Sequence, residues 1–315
     1  MPAPVIASVG GNLSFNDLKL MHLWSTSTWN TINVGSHSDH VLLLHAPQLG
    51  FENPFLLNCL LGIASLHMEH LNPGSTEIRQ QTSLYRVRAL NSFRESVGSL
   101  NPDSEGWEAS LIMAILLIVL CSKDYNTSDE DLTVINWLVL YRGLASIIQM
   151  KSWPQVQASK VSPLFRRELT PLQSVPVIPA NLLKMAEEIC PLDPDFEYLK
   201  DYCEALDALG ILYAGLRQDG PNSLTLVRVV AWPSFTSMEF AKCAREKRPR
   251  TLIILAHYLV FLKLITDLWW LDGSSNFQIG MIRNMVGPEW LPYLDVPLQS
   301  TLLASPQEIT ALLLR

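Results

Sequence analysis

Residues 248–273 read RPRTLIILAHYLVFLKLITDLWWLDG. Apolar side chains fall on nearly every face of a helical wheel drawn on this stretch. A helix greasy around most of its circumference belongs at the centre of a bundle rather than on a surface. The run therefore predicts one long central helix, with Gly273 as its C-cap. On that wheel Lys263, Asp267 and Trp270 lie within about 60° of arc and form the charged stripe, whereas Trp269 sits about 120° away beside Leu255, Tyr258 and Leu262. The pattern predicts Trp269 as an ordinary core residue. It puts Trp270 where the helix meets a loop, a ligand or a partner. His257 shares a face with Phe261, Leu264 and Leu268. It reads either as a core histidine bonded to a carbonyl or as a polar anchor in an apolar pocket.

Working outward, helix signals dominate and strand signals are scarce. Ser14 and Asp17 form a cap for a first helix, with Phe15, Leu18, Met21 and His22 at helical spacing. Asn53-Pro54 starts FLLNCLLGIASLHMEHL, which stops at Asn72-Pro73-Gly74. A third helix runs from about Ser75 to Leu100, with Tyr85, Leu90, Phe93 and Val97 on one face. ASLIMAILLIVLC (109–121) is too short to span a bilayer and reads as a buried core helix. Ser128 and Asp131 cap a helix carrying Ile135, Leu138, Tyr141, Leu144 and Ile148. Asp193-Pro194 starts another, with Phe196, Leu199, Cys203, Leu206, Leu209 and Tyr213 along it. SPQEITALLLR closes the chain as a short capped helix. The expectation is an all-α, multi-helix bundle of two helical subdomains enclosing an apolar pocket. Residues 1–13 are a flexible start and 14–150 the N-terminal half. Residues 151–179 form an irregular, proline-rich connection, and 180–315 the C-terminal half.

The totals exclude some functions. Of 315 residues 48% are apolar and only 17% charged, and the net charge is −7. That balance argues against direct nucleic-acid contact, which needs lysine and arginine to displace counterions. The one dense basic stretch, AREKRPR (244–250), reads as a solvated helix connection. Five cysteines, at 59, 121, 190, 203 and 243, include no C-x-x-C. They point to buried thiols in a reducing compartment rather than disulfides or a zinc site. The N-terminus lacks the basic and apolar regions of a signal peptide, so the chain reads as soluble and intracellular, in the nucleus or cytoplasm.

Catalytic and metal signals are weak. His37, His40 and His45 fall in HSDHVLLLH, and His67 and His70 in HMEH, but no H-E-x-x-H is present and no metal is expected. There is no G-x-S-x-G elbow and no phosphate-binding loop. GSSNFQIG (273–280) reads as a loop with a helix cap at Gly273. The acids of SDEDL (128–132) and DPDFE (193–197) sit at helix starts, where the macrodipole favours them. No catalytic set and no cofactor is indicated. The polar groups an enzyme would draw on are His257, Asp267, Tyr258 and Tyr141. The residues chosen for binding an apolar ligand are Trp270, His257, Phe261 and Trp269.

Six stretches, taken in order, resemble the regulatory domain of fungal zinc-cluster transcription factors of the sterol uptake control type. They are NDLKLMHLWSTSTWNTI (16–32), GFENPFLLNCLLGIASLHMEHL (50–71), YRVRALNSFRESV (85–97), WLVLYRGLASII (137–148), EKRPRTLIILAHYLVFLKLITDLWWLDG (246–273) and GPEWLPYLDVP (287–297). In that family a six-cysteine binuclear zinc cluster reads DNA, and this chain has no such cluster. The resemblance implies a helical ligand-sensing or effector module without its own DNA reader. It would regulate a sterol or secondary-metabolite pathway. Its partners would be an apolar small molecule, sterol-like or terpenoid- or polyketide-like, and a protein partner or second copy. The alternative is a natural-product enzyme, a cyclase or isomerase recruited from the same domain and working by positioning.

Overall fold

The computed structural model describes residues 13–32, 38–98, 100–101, 104, 106–122, 132–166, 171–173, 175–271 and 273–315. Among these the chain is all-α, with no strand. It divides into two compact units, one of residues 1–121 and 143–166, the other of 122–142 and 167–315.

The first unit contains α1 (Phe15–Leu23), α2 (Ala46–Glu52), α3 (Pro54–Leu71), α4 (Thr76–Val97) and α5 (Trp107–Leu120). Local chemistry sets several of the ends. Ser14 and Asp17 form a reciprocal capping box, Pro54 opens α3, and the Ser75 hydroxyl accepts from the Ile78 amide. Gly74 takes φ +99°, the left-handed geometry that lets the α3–α4 turn close. α3 is buried from Phe55 to His67 on most faces, and a Cβ on Gly62 would lie 2.9 Å from Leu120 Cδ1 and 3.2 Å from Tyr85 Cβ. That glycine is what lets α3 approach α4 and α5 so closely. Arg86 Nε donates to the Leu120 carbonyl at 3.0 Å, satisfying one of the orphan acceptors at the end of α5. The apolar run at 109–121 is the buried core helix expected.

Two readings of this unit need correction. The α1 face predicted from Phe15 and Leu18 points outward: they are 74% and 54% exposed, and the buried residue is Leu20. The helix continues through a wider turn, Trp24–Thr28. Trp24 is the deep residue and gives its Nε1–H to the Leu42 carbonyl at 3.1 Å. Asp17 receives the Tyr85 hydroxyl, which fixes the polar side of α1 against α4. On α4 itself Tyr85 is buried but Val97 is exposed.

α6 (Thr133–Gln149) has residues 133–142 in the second unit and 143–149 in the first. Its proposed cap at Ser128 and Asp131 lies outside the described residues. Within 151–179, read as irregular, α7 (Trp153–Ala158) forms behind a capping box of Ser152 and Gln155, followed by a 3-10 turn at Ser162–Phe165.

The second unit holds α8 (Ala180–Glu187), α9 (Leu199–Asp219), α10 (Ser223–Ala231), α11 (Met238–Arg245) and α12 (Pro249–Leu262). These are followed by α13 (Ser274–Met285), α14 (Asp295–Ser300) and α15 (Pro306–Leu313). Every residue of α12 from Arg250 to Leu262 is buried, so it is the central helix that its composition demands. It ends eleven residues before Gly273, however, where a single helix to Gly273 was expected. The amides of Lys263, Leu264 and Ile265 bond back to Val260, Phe261 and Leu262, tightening the last turn. Lys263 Nζ then donates to the carbonyls of Ser300 and Leu303. Thr266 Oγ1 bonds Asp267 rather than the helix, the competition that disfavours such residues inside helices. Gly273, at φ +76°, is the residue before α13, so GSSNFQIG is mostly helix rather than loop. The two acids 193 and 195 are not simple helix-start charges either: Phe196–Tyr198 is a 3-10 turn leading into α9, and both acids are ion-paired to arginine.

Candidate functional site

Of the catalytic and ligand-binding candidates, His257, Tyr258 and Phe261 lie on α12, and the elements packed around that helix set their surroundings. The N-terminus of α12 is fixed by four charges. Arg250 Nη2 and Nη1 fork onto Asp193 Oδ2 and Oδ1 at 2.8 and 3.1 Å, and Nη1 also reaches Asp195 Oδ2 at 2.8 Å. Arg248 Nη1 meets Asp195 Oδ1 at 2.7 Å. Burial works against the Arg250 charge, but its bonds to Asp195 and Asp193 win and hold its pKa above the usual guanidinium range. Burial likewise opposes the Asp193 charge, and the Asp195 amide and Arg250 overcome it, lowering its pKa. The Arg250 guanidinium lies 5.0 Å from the Trp290 ring and that of Arg248 4.4 Å from the Tyr198 ring. AREKRPR is therefore not a solvated connection at its end: Arg250 is 8% exposed. The sequence did carry a signal for this pairing, since Asp193-Pro194-Asp195 and Arg248-Pro249-Arg250 have the same spacing and opposite charge.

The 3-10 segment Pro288–Leu294, held at Trp290, reaches the middle of α12. His257 Nε2 lies 2.9 Å from the Tyr293 carbonyl. A carbonyl only accepts, so Nε2 carries the proton, and Nδ1 faces the Tyr213 hydroxyl at 3.4 Å. Burial lowers the His257 pKa to about 4, against the smaller opposing effect of the Tyr293 bond. The ring is neutral and both its nitrogens are engaged. Phe261, one turn on, meets Tyr213 edge to face at 4.9 Å. His257 and Phe261 thus share a face, as their spacing implied.

Tyr258 and Tyr141 form a second group. Their hydroxyls donate to consecutive carbonyls near the end of α10, Val229 at 3.1 Å and Val230. Burial raises the Tyr258 pKa well above its ordinary value, with the nearby Tyr141 adding to it. Trp232 stacks on the Tyr258 ring at 4.3 Å. One turn before Tyr141 on α6, Trp137 packs against Trp270, with ring centroids 5.8 Å apart and planes at 59°.

The wheel argument for the adjacent tryptophans fails because they are not on a helix. Both lie in the turns after α12, where successive side chains need not diverge by a helical step, and both are buried: Trp269 is 8% exposed and Trp270 only 2%. Asp267 is exposed, and its side chain accepts from Thr266 Oγ1. Trp137 was missed, although it lies in the aromatic pair W-L-V-L-Y at helical i,i+4 spacing. The indole N–H groups of Trp137 and Trp270 are buried with no partner among the described residues. A buried donor left without an acceptor costs about 1–3 kcal/mol.

The histidines singled out for metal disperse. His45 pairs with Glu108 at 2.8 Å and His67 with Thr28 at 3.0 Å, while His70 is exposed and His37 lies outside the described residues. Among the described residues no group of three ligating side chains could hold a metal ion. Cys59 and Cys243 are buried thiols, but Cys190 and Cys203 are exposed, contrary to the expectation for most of the five. In the first unit Trp153, Val156, Gln157, Ser162, Phe165 and Arg166 line a cavity of ≈190 Å³ that includes none of the predicted residues.

Residues 24–169 match the model of the fungal specific transcription factor domain. The chain is 22% identical to a Zn(2)-C6 fungal-type transcription factor of Gibberella zeae, across 93% of this chain and 64% of that protein. It is 25% identical to the Sterol uptake control protein 2 of Candida albicans, across 87% of this chain and 41% of that one. The Saccharomyces cerevisiae protein of the same name is 28% identical across 53% of this chain and 19% of its own length. The chain thus spans less than two thirds of the length of each of these relatives.

Proposed function

We propose, from a chain whose residues 24–169 match the fungal specific transcription factor domain and that is similar to a transcription factor through most of its length, that it is a ligand-responsive regulatory module. It binds an apolar small molecule of sterol character against α12 and signals its occupancy to a transcriptional partner in the nucleus. The observation that carries this reading is the similarity to Sterol uptake control protein 2 of Candida albicans across 87% of this chain. That span takes in most of a chain whose second unit surrounds one wholly buried helix with aromatic side chains.

Control operates by population shift: the ligand favours one packing of the segments around α12 over another. The segment 263–271, which leaves the helix and is tied back through Lys263, is the element that moves. The net charge of −7 supports a reading in which DNA is contacted through a partner rather than by these residues. The enzymatic alternative needs a group free to exchange a proton. His257 is neutral with both nitrogens engaged, and Tyr141 and Tyr258 are committed to backbone carbonyls. Those commitments favour binding over catalysis.

The test is a reporter assay in which the full chain is fused to an unrelated DNA-binding module and expressed under sterol depletion and repletion. The expected result is transcription that changes with sterol supply and stops changing in Trp270→Ala. Output that ignores sterol supply contradicts the proposal.

A further inference from the structure

We infer that the indole N–H groups of Trp137 and Trp270 form a donor pair that reads a carbonyl oxygen on the apolar ligand. This deepens the proposed function and rests on it. Trp137 is 5% and Trp270 2% exposed, their rings lie 5.8 Å apart, and the Nε1 of each is buried without a partner among the described residues. Elsewhere this chain caps deep indoles with main-chain carbonyls: Trp24 donates to Leu42 at 3.1 Å and Trp107 to Ile147 at 3.0 Å. The Trp232 indole also lacks a partner among the described residues, but its ring is engaged face-on with Tyr258 rather than with another indole.

The chemistry of the missing group follows from what is already in place. An indole nitrogen donates and cannot accept, so two such donors call for acceptor lone pairs. The neighbouring hydroxyls of Tyr141 and Tyr258 are committed to the Val230 and Val229 carbonyls. A carbonyl oxygen offers two lone pairs and brings no hydrogen that would need an acceptor of its own. A hydroxyl brings one. The indole faces supply the apolar contact that the rest of such a molecule requires. The ligand class is thus an apolar compound carrying a ketone or similar carbonyl, and the pair distinguishes it from the corresponding hydrocarbon. A bound water is the other acceptor of suitable size, and the experiment separates the two.

The full chain, labelled with ¹⁵N-tryptophan, is titrated with cholestanone and with cholestane. The two probes differ by the carbonyl oxygen. Trp137→Phe and Trp270→Phe assign the indole signals and remove one donor each while keeping an aromatic ring. The expected result is binding of the ketone about tenfold to a hundredfold tighter than the hydrocarbon. Both indole signals move with the ketone only, and each substitution reduces the preference for ketone over hydrocarbon several-fold. Equal affinity for the two probes overturns the donor pair and leaves the ligand-binding proposal standing. So do indole signals of the wild-type chain that stay still while ketone binds, and that measurement does not depend on the variants folding. Binding of neither probe, with both indoles bonded to water throughout, overturns the inference and the proposal it rests on together.

Discussion

Acidification discharges a specific bond at the centre of the second unit. His257 is fully buried, with Nε2 donating to the Tyr293 carbonyl and Nδ1 facing the Tyr213 hydroxyl. Its pKa falls from 6.5 to about 4, first because burial penalises the charged ring. The fold therefore favours the neutral form. Stability is fully present above the unfolded value of 6.5 and is lost progressively as the pH falls toward the folded value of about 4. Once the ring is charged the loss amounts to about 3 kcal/mol, and about 2 kcal/mol of it falls between about pH 7 and about pH 5. The carboxylates with lowered pKa values, Asp17, Asp193 and Asp219, stay ionised through that window. His67, also shifted down by burial and by His70, contributes in the same direction, so a control is needed. His257→Gln supplies it, because an amide can donate to Tyr293 and accept from Tyr213 without titrating. Urea denaturation of both proteins at the two pH values should show the wild type losing about 2 kcal/mol more than the variant. Parallel losses in the two proteins would refute the placement of a buried, neutral His257.

Other consequences follow from single contacts. Arg250→Met leaves Asp193 without an arginine and Asp195 with Arg248 alone, and should cost about 3 kcal/mol in urea denaturation. Arg250→Lys should recover only a minor part, since an ammonium lacks the fork that spans both carboxylates. Lys247 occupies the left-handed position after α11 at φ +56°, with its own amide bonded to Ala244 and that of Arg248 to Cys243. Lys247→Gly should raise stability by about 0.5–1 kcal/mol, read as a higher urea midpoint. Asp267→Ala should leave stability within about 0.5 kcal/mol of wild type, whereas Trp270→Ala should cost about 3–5 kcal/mol, by thermal or urea denaturation.

What the sequence disclosed and what it hid divide along the range of the interactions. Ser14, Pro54, Ser75 and Ser305 mark helix starts because capping is settled within four residues of chain. The burial of α12 was legible because composition alone forbids exposing it. Its end was not legible, because Lys263 is turned aside by the carbonyls of Ser300 and Leu303, groups that no local pattern reports. That one misplaced boundary misassigned Trp270, since a helical wheel applies only where there is a helix. The candidate site shows the same division. His257 and Phe261 were placed together correctly by their spacing, and the carbonyl reading of His257 holds. Trp137 was overlooked because its partner lies far along the chain. The arginines of AREKRPR looked solvated because their countercharges, Asp193 and Asp195, sit before α9. Matching D-P-D with R-P-R would have joined them.

The central claim is that the second unit holds an apolar ligand and returns it unchanged. Native mass spectrometry of the purified full chain, followed by release under denaturing conditions, tests it most directly. The account predicts one apolar molecule per chain, recovered with the mass of the free compound and bound more weakly by Trp270→Ala. A chain that converts the compound into a product of different mass, or that carries and takes up no apolar molecule at all, would contradict it.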